Sequence, residues 1–468
     1  MRENKSIKNS LTFVGTIILG LILRCALAPY TSDSCDVEVW YKLTSSLIYG
    51  AGIYELMYWS YPPISAYIFG FFTKIAALFF NPANFAIEIP ELYPTYRITG
   101  GILKNTITSP IFNFSIKLPL IIADLLISYI LYKFIYEITH NIKKAKCAFI
   151  LFFLNPLVIT VSSLHGAMEP IVTLFLVLMA FHLFKRNYFF TGIFWIFSIL
   201  TKLLPIYFLP LMITLIILQE AIIPKPKKRL PYIIRNLFFL FFGVLVGFAA
   251  IFVPLCLYEG FSKFNLCLFK GRFATGINIG GFNLFFIIFL PQFKPFLDYA
   301  RNNTPTLVKT CSGTMLFFLS YFATCQIRSS QTSFIKHLTL GFLYTLGTIY
   351  LFTPLVGPRF LYWIIPFLIL YILLFNISFK KIFHLFSLLG VIYYFAVKGW
   401  SLFLPLATYT NLISVKSMSM LIQNFWYYPG LLNRYLREDF LLVSSSIGVI
   451  IIILIIILSI HDITTNNN

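Results

Sequence analysis

Charged side chains are scarce in this sequence. Asp, Glu, Lys and Arg together make up 11% of its 468 residues, whereas a soluble globular domain carries about 25%. No hydrophilic stretch is long enough to fold as a separate domain, and hydrophobic residues make up 59% of the chain. This composition excludes a soluble enzyme, a disordered protein and a fibrous protein, and it predicts an all-α polytopic membrane protein.

Acidic residues are also few, and the cysteines are not spaced in pairs. The chain has 16 Asp and Glu against 36 Lys and Arg, which gives a formal net charge of +20. Most of the positive charge falls in short segments between apolar runs, as in membrane proteins oriented by cytoplasmic Lys and Arg, so we expect no nucleic-acid partner. The 7 cysteines lack paired spacing, which predicts neither a disulfide framework nor a zinc site.

The apolar runs predict about twelve transmembrane helices with both termini in the cytoplasm. The first run, residues 11–29, follows a basic segment without a small-residue cleavage site after it, and we interpret it as an uncleaved first helix. Residues 64–80 are predicted to lie on the outer membrane face, because a crossing there would place the later basic loops outside. The other helices are predicted at 115–136, 147–163, 170–184, 188–202, 204–219, 236–257, 307–325, 338–353, 360–376, 383–400 and 440–460.

This threading divides the chain into three parts. Residues 1–257 form a transmembrane module that includes a long first outer loop, 30–114, with surface-lying helices. Residues 258–306 form a second outer loop that covers the site, and residues 307–468 form variable C-terminal transmembrane helices. Because the large loops all fall on one side, we expect the chemistry on the outer face.

The first outer loop opens with carboxylates. If residues 32–40 are helical, Asp33, Asp36 and Trp40 lie on one face, because offsets of three, four and seven repeat on a helix. Such carboxylates deprotonate a hydroxyl, hold a metal or cap a helix, and the spacing leaves these roles open. Tyr61 precedes two prolines typical of a helix start, and it fits an aromatic anchor at the membrane interface.

Three cations lie near the same outer helix ends. Lys202 and Arg359 stand at the outer ends of predicted helices, against the charge trend, and Arg24 lies about one turn below the outer surface. Long basic side chains often extend to lipid phosphates. Three cations on the same side as a carboxylate pair are also what a site for a phosphate leaving group needs.

Three further ionisable residues carry weaker signals. His165 and Glu169 lie four residues apart in a very short outer loop. This spacing is a weak metal signal, and it is equally typical of a turn whose polar groups meet lipid headgroups. Asp124 lies inside the second predicted helix, where we expect it to be protonated or hydrogen-bonded between helices, in a structural role.

The order of segments resembles the GT-C superfamily. Its members are membrane glycosyltransferases that use a polyprenyl- or dolichyl-phosphate sugar as donor. The resemblance spans roughly residues 20–370 and rests on the order and spacing of several motifs. These are the acidic first loop ending in YPP (33–63), KLPLIIADLL (117–126), FLNPLVIT (153–160), LTKLLPIYFLP (200–210), GINIGGFNLF (276–285) and PRFLYWIIPF (358–367).

The resemblance implies roles for individual residues. In several such families an acidic residue seven positions before an aromatic is the catalytic base, which here selects Asp33, seven before Trp40, with Asp36 as the next candidate. Cations would bind the donor phosphate, and further polar and aromatic residues would contact substrate. The implied phosphate-binding residues are Lys202, Arg359, Arg24, Lys270 and Arg272, and the implied substrate-binding residues are Trp40, Tyr61, His165 and Glu169.

The implied reaction moves a hexose from the lipid-phosphate donor to an acceptor hydroxyl on the outer or lumenal face. The acceptor is a glycan, a glycolipid or a protein, and one base without a carboxylate nucleophile implies single displacement with inversion. No cofactor is required, although a divalent cation is allowed. The membrane is the plasma membrane in a prokaryote and the endoplasmic reticulum in a eukaryote.

Two alternative functions remain open. The first is a transporter or flippase for a lipid-linked or anionic solute, which would use the same cations. Its ionisable groups are expected near the bilayer midplane, whereas those of this chain fall at outer helix ends. The second is a non-catalytic subunit of a membrane glycosylation complex that keeps the scaffold only.

Overall fold

The computed structural model describes residues 2–54, 61–88, 106–221, 229–259, 331–352, 358–375, 380–410, 412–418 and 420. The structure is mostly helical, at 85%, which confirms the helical expectation. Two short strands, β1 (Ala86–Glu88) and β2 (Thr106–Thr108), pair antiparallel. The all-α prediction missed this ladder, because so few residues do not reveal the two-residue period of a strand.

The first part of the bundle contains helices α1 (Arg2–Leu27), α2 (Ser34–Ile48), α3 (Pro63–Ala77) and α4 (Pro110–Thr139). Residues 32–40 are therefore helical from Ser34 onward, as the spacing of the carboxylates assumed. Asp33 caps α2 by accepting a hydrogen bond from the backbone N–H of Asp36 at 3.1 Å. Prolines occupy the first turns of α3 and α4, where a missing N–H leaves no helical bond unmade.

The next span is broken. It consists of α5 (Ile142–Phe153), the short α6 (Pro156–Ile159) and a π-helical segment, Thr160–His165. The two halves meet at an angle of 44°. The helix predicted at 147–163 is interrupted here, because Pro156 has no N–H to continue α5. The side chain of Asn155 caps the second half instead.

The middle of the bundle follows the predicted intervals closely. It contains α7 (Glu169–Phe184), α8 (Tyr188–Thr201), a 3-10 turn (Leu204–Phe208) that leads into α9 (Leu209–Ala221), and α10 (Arg229–Glu259). The helix predicted at 204–219 therefore opens with a 3-10 turn, which contains Pro205.

The C-terminal part contains α11 (Gln331–Phe352), a 3-10 turn (Pro358–Phe360), α12 (Leu361–Leu374), α13 (Lys380–Lys398), a 3-10 turn (Gly399–Phe403) and α14 (Leu404–Tyr409). The helices predicted at 307–325 and 440–460 lie outside the described residues. So do residues 260–306 of the second outer loop, with Lys270 and Arg272.

Helix α12 lies in the interior of the bundle. Every residue from Leu361 to Leu373 is buried, as expected of a helix that is apolar all round. It packs against α4, α5, α7, α11 and α13. Tyr362 in its first turn donates a hydrogen bond to Asp124 of α4.

Helices α8 and α10 pack closely through glycines. A Cβ on Gly192 would clash with the carbonyl oxygen of Leu240, and a Cβ on Gly243 would clash with that of Phe189. Small residues that let backbones approach are typical of interfaces between membrane helices. α10 also exposes large apolar side chains, among them Phe238, Phe241, Phe242 and Leu245.

Several helices are suited to a membrane. Within the described residues, three are long and apolar enough to cross one: Pro110–Thr139, Leu204–Ala221 and Arg229–Tyr258. The count is 4 if the bent pair at Pro156 forms one span, and shorter apolar helices of 10–17 residues accompany them. These helices indicate membrane association. The twelve spans, the surface position of α3 and the sides of the termini stay predictions.

Candidate functional site

Ionisable side chains from distant parts of the chain meet where several helices begin or end. They come from the start of α2, the end of the π-helical segment, the start of α7, the end of α8 and the 3-10 turn before α12. We call this group the paired-charge cluster. Its members are Asp33, Asp36, His165, Glu169, Lys202 and Arg359.

Asp33 is a buried carboxylate of the paired-charge cluster. Its side chain is 2% exposed, and it lies 3.5 Å from Nε2 of His165. The backbone N–H of Asp33 donates to the carbonyl oxygen of His165 at 3.2 Å. Capping of α2 and this backbone bond together fix the carboxylate beside the imidazole.

Asp36 is more accessible and more strongly paired. Its side chain is 20% exposed, and its Oδ2 lies 2.8 Å from Nε2 of His165. The same oxygen accepts a hydrogen bond from Nη1 of Arg359. Nδ1 of His165 faces the hydroxyl of Tyr394 on α13. With Asp36 as acceptor, Nε2 carries a proton, and in the neutral imidazole the Tyr394 hydroxyl then donates to Nδ1.

Two cations share the third acidic residue of the cluster, Glu169. Nζ of Lys202 donates to Oε1 of Glu169 at 2.6 Å, and Nε of Arg359 lies 3.3 Å from the same oxygen. The Lys202 ammonium also lies 3.8 Å from the ring centroid of Phe360, a cation–π arrangement. Arg359 therefore bridges Asp36 and Glu169, and it joins the two halves of the paired-charge cluster.

The carboxylates and the histidine also have the spacing of a metal site. Ligand atoms of Asp33, Asp36 and His165 all lie within 4.8 Å of one another, and oxygen with imidazole nitrogen suits several divalent ions. Oδ2 of Asp36 is, however, already paired with Arg359. A cation bound through that oxygen would have to displace the guanidinium, so the donor set allows a metal without requiring one.

Arg24 lies in a different network. Its Nε donates to Oδ2 of Asp124 at 2.9 Å, and both side chains are fully buried. Asp124 also accepts hydrogen bonds from Ser162, at 2.7 Å, and from Tyr362. This ion pair ties α1 to α4 and α12, so its placement favours a structural role for Arg24 over phosphate binding. Asp124 is hydrogen-bonded between helices, as expected.

Trp40 and Tyr61 pack in an aromatic core between α2 and α3. The Trp40 ring centroid lies 5.8 Å from that of Tyr61 and 4.7 Å from that of Phe69. Trp40 is buried, and the carbonyl of Tyr61 accepts from the hydroxyl of Tyr54 at 3.1 Å. These contacts favour packing that supports α2 over direct contact with substrate.

The structure thus brings together six of the residues singled out in the sequence and separates three. Lys270 and Arg272 fall outside the described residues. Tyr394 was missed, since one tyrosine among 28 carries no signal of its own. No protein-family model matches the sequence, and no curated protein matches it either. The resemblance to the GT-C superfamily therefore rests on the motifs alone.

Proposed function

We propose that the protein is an integral-membrane glycosyltransferase of the GT-C type. It would transfer a hexose from a polyprenyl- or dolichyl-phosphate to an acceptor hydroxyl. One observation supports this most: carboxylates able to act as a base lie next to cations able to bind a phosphate, within a single cluster at helix ends. Those are the two requirements of the reaction.

Asp33 is the proposed general base. A carboxylate within hydrogen-bond reach takes the proton of the acceptor hydroxyl while the oxygen bonds to the anomeric carbon. The bond from that carbon to the phosphate oxygen breaks, and its electron pair leaves with the lipid phosphate. Attack opposite the leaving group inverts the anomeric centre. Asp36 competes for the role, because its side chain is 20% exposed against 2% for Asp33.

The cations would bind the leaving phosphate. Within the protein, Lys202 pairs with Glu169 and Arg359 pairs with Asp36. A donor phosphate would replace these carboxylates as the partner of the guanidinium fork, which suits phosphate geometry. Release of Asp36 from Arg359 would then accompany donor binding. Until the donor binds, the pairing with Glu169 and Asp36 neutralises the charges of Lys202 and Arg359.

The transporter alternative has one observation in its favour. The span formed by α5 and its continuation is broken at 44° and ends at His165, and broken helices line binding sites in many transporters. A transporter would move the lipid-linked solute unchanged. Chemical analysis of the lipid after exposure to the protein therefore separates the two functions.

The test is transfer by the purified protein. It would be incubated with separate polyprenyl-phosphate sugars and with glycan, glycolipid and peptide acceptors. We expect one donor to yield an inverted glycoside together with free polyprenyl phosphate. If every donor is recovered intact, the enzymatic proposal fails and transport becomes the better interpretation.

A further inference from the structure

Lys117, near the start of α4, is a buried lysine that lies among backbone carbonyls. Its Nζ donates to the carbonyls of Ala28, at 3.1 Å, and Leu164, at 3.0 Å. It also donates to the carbonyl of Thr31 and lies 3.2 Å from the hydroxyl of the same residue. A buried ammonium is costly unless its N–H groups are satisfied. So complete a set of acceptors indicates a specific role.

The segments that Lys117 joins are those that carry the proposed base and its histidine. Thr31 stands two residues before Asp33, and Leu164 directly precedes His165. The two segments also touch directly, since the N–H of Asp33 donates to the carbonyl of His165 at 3.2 Å. Lys117 therefore holds both sides of the contact that fixes the Asp33 carboxylate beside the imidazole.

The surrounding chain leaves room for this lysine. Gly166 follows His165 with φ at +85°, a left-handed conformation that favours glycine. A Cβ at this position would lie 3.0 Å from Cε of Lys117. A larger residue at position 166 would therefore crowd the Lys117 side chain.

We propose that Lys117 is a positioning residue for the general base of this protein. It crosslinks residues 28–31 to residue 164 without touching substrate, and it thereby sets where Asp33 lies relative to His165. An apolar side chain at this position would leave the carbonyls unsatisfied and would remove one of the links between the two segments, which would then be held by the bonds from Asp33 N–H to His165 and from the Thr31 hydroxyl to Ser163. The catalytic part of this role rests on the proposed glycosyltransferase function.

The kinetic test uses Lys117→Met, which keeps the length of the side chain and removes its N–H groups. Displacing a reacting group by about 1 Å costs up to about 10²-fold, so we expect kcat to fall by about 10- to 100-fold. The donor KM should stay unchanged, because the proposed phosphate-binding residues Lys202 and Arg359 are not altered. In an Asp33→Asn background, Lys117→Met should cause no further loss.

The matched control is Lys185→Met, which removes a lysine that pairs with Glu137 away from the paired-charge cluster. It should leave kcat and the donor KM unchanged. Two results would overturn the proposal. In one, Lys117→Met leaves kcat unchanged. In the other, Lys117→Met lowers kcat by the same factor in the Asp33→Asn background as in the wild type.

A milder variant covers the case in which Lys117→Met does not fold. Thr31→Val keeps Lys117 but removes the hydroxyl beside it, which also donates to the carbonyls of Leu27 and Ser163. We expect a smaller fall in kcat with the same donor KM. No fall in kcat would count against the positioning role.

Thermal unfolding tests the contact without any assay of transfer. If the wild type processes no donor, the proposed function fails. The shifts in the unfolding midpoint caused by Lys117→Met and by Asp33→Asn should still be non-additive in that case. Additive shifts would show that Lys117 does not act through Asp33, whatever the activity of the protein.

Discussion

At the scale of single residues, the main feature of the paired-charge cluster is its number of charged side chains. Burying them would be too costly if they were not paired with one another. Arg359 pairs with Asp36 and Glu169, and Lys202 pairs with Glu169. His165 lies beside both Asp33 and Asp36. Buried ion pairs contribute little net stability compared with apolar packing. Stability alone therefore gives little reason for the cluster, and the proposed role in donor binding and base catalysis supplies one.

The first prediction assigns the base. Asp33→Asn should lower kcat by at least about 10²-fold, because an amide has nearly the same shape but cannot accept the proton. Donor binding should persist, since Lys202 and Arg359 are unchanged. Steady-state kinetics of Asp33→Asn and Asp36→Asn, side by side, decide between the two carboxylates. Normal turnover by Asp33→Asn together with inactive Asp36→Asn would transfer the role to Asp36.

The second prediction concerns the donor phosphate. Arg359→Lys and Lys202→Ala should each raise the donor KM by about 10- to 100-fold, the loss expected for a charge-assisted hydrogen bond of about 1.5–3 kcal/mol. Lysine at position 359 does not restore the fork, because its ammonium is a point charge. Kinetics with each substrate varied in turn measure this. A defect confined to the acceptor KM would remove both residues from the donor site.

Single residues also show how far sequence reasoning reaches. Lys202, Arg359, His165 and Glu169 stand out because an ionisable group within an apolar sequence is costly. Tyr394 has no such signal, and only the fold brings it to His165, which lies 229 positions away in the chain. Arg24 stands out for the same reason. Its pairing with Asp124, however, becomes apparent only when α1 and α4 pack together.

At the scale of helices, hydropathy locates most of the segments. The predicted intervals 170–184 and 188–202 match α7 (Glu169–Phe184) and α8 (Tyr188–Thr201) within two residues at each end. The prediction fails at Pro156, because hydropathy continues smoothly through a proline that breaks the helix. It also misses the ladder of β1 and β2, whose pairing is not local in sequence.

The third prediction tests the contact between α8 and α10. Gly243→Ala should destabilise the protein by about 1–3 kcal/mol or more, because the added methyl group clashes with the backbone of Phe189. Gly15→Ala is the matched control, since a Cβ there meets nothing within 4 Å in the described part of the chain. Thermal unfolding in detergent measures both. Equal midpoints for the two variants would contradict the close packing.

At the scale of the whole molecule, the fourth prediction concerns orientation. Ala83 and Lys143 are exposed near opposite ends of α4, a helix of 30 residues that is about 45 Å long at 1.5 Å per residue. In a cysteine-free background, Ala83→Cys should react with an impermeant reagent from outside. Lys143→Cys should react only after permeabilisation. The reverse result would overturn the threading, including the surface position of α3.

The most direct test of the central claim is the release of polyprenyl phosphate from a labelled polyprenyl-phosphate sugar by the wild type and by an Asp33→Asn, Asp36→Asn double variant. Both proteins would be reconstituted in liposomes with acceptor present. We predict that the wild type releases the lipid phosphate in equal amount to the new glycoside, and that the double variant releases at least about 10²-fold less. Equal release by the two proteins would contradict a carboxylate base in the paired-charge cluster. Absence of release by the wild type with every donor would contradict the glycosyltransferase function itself.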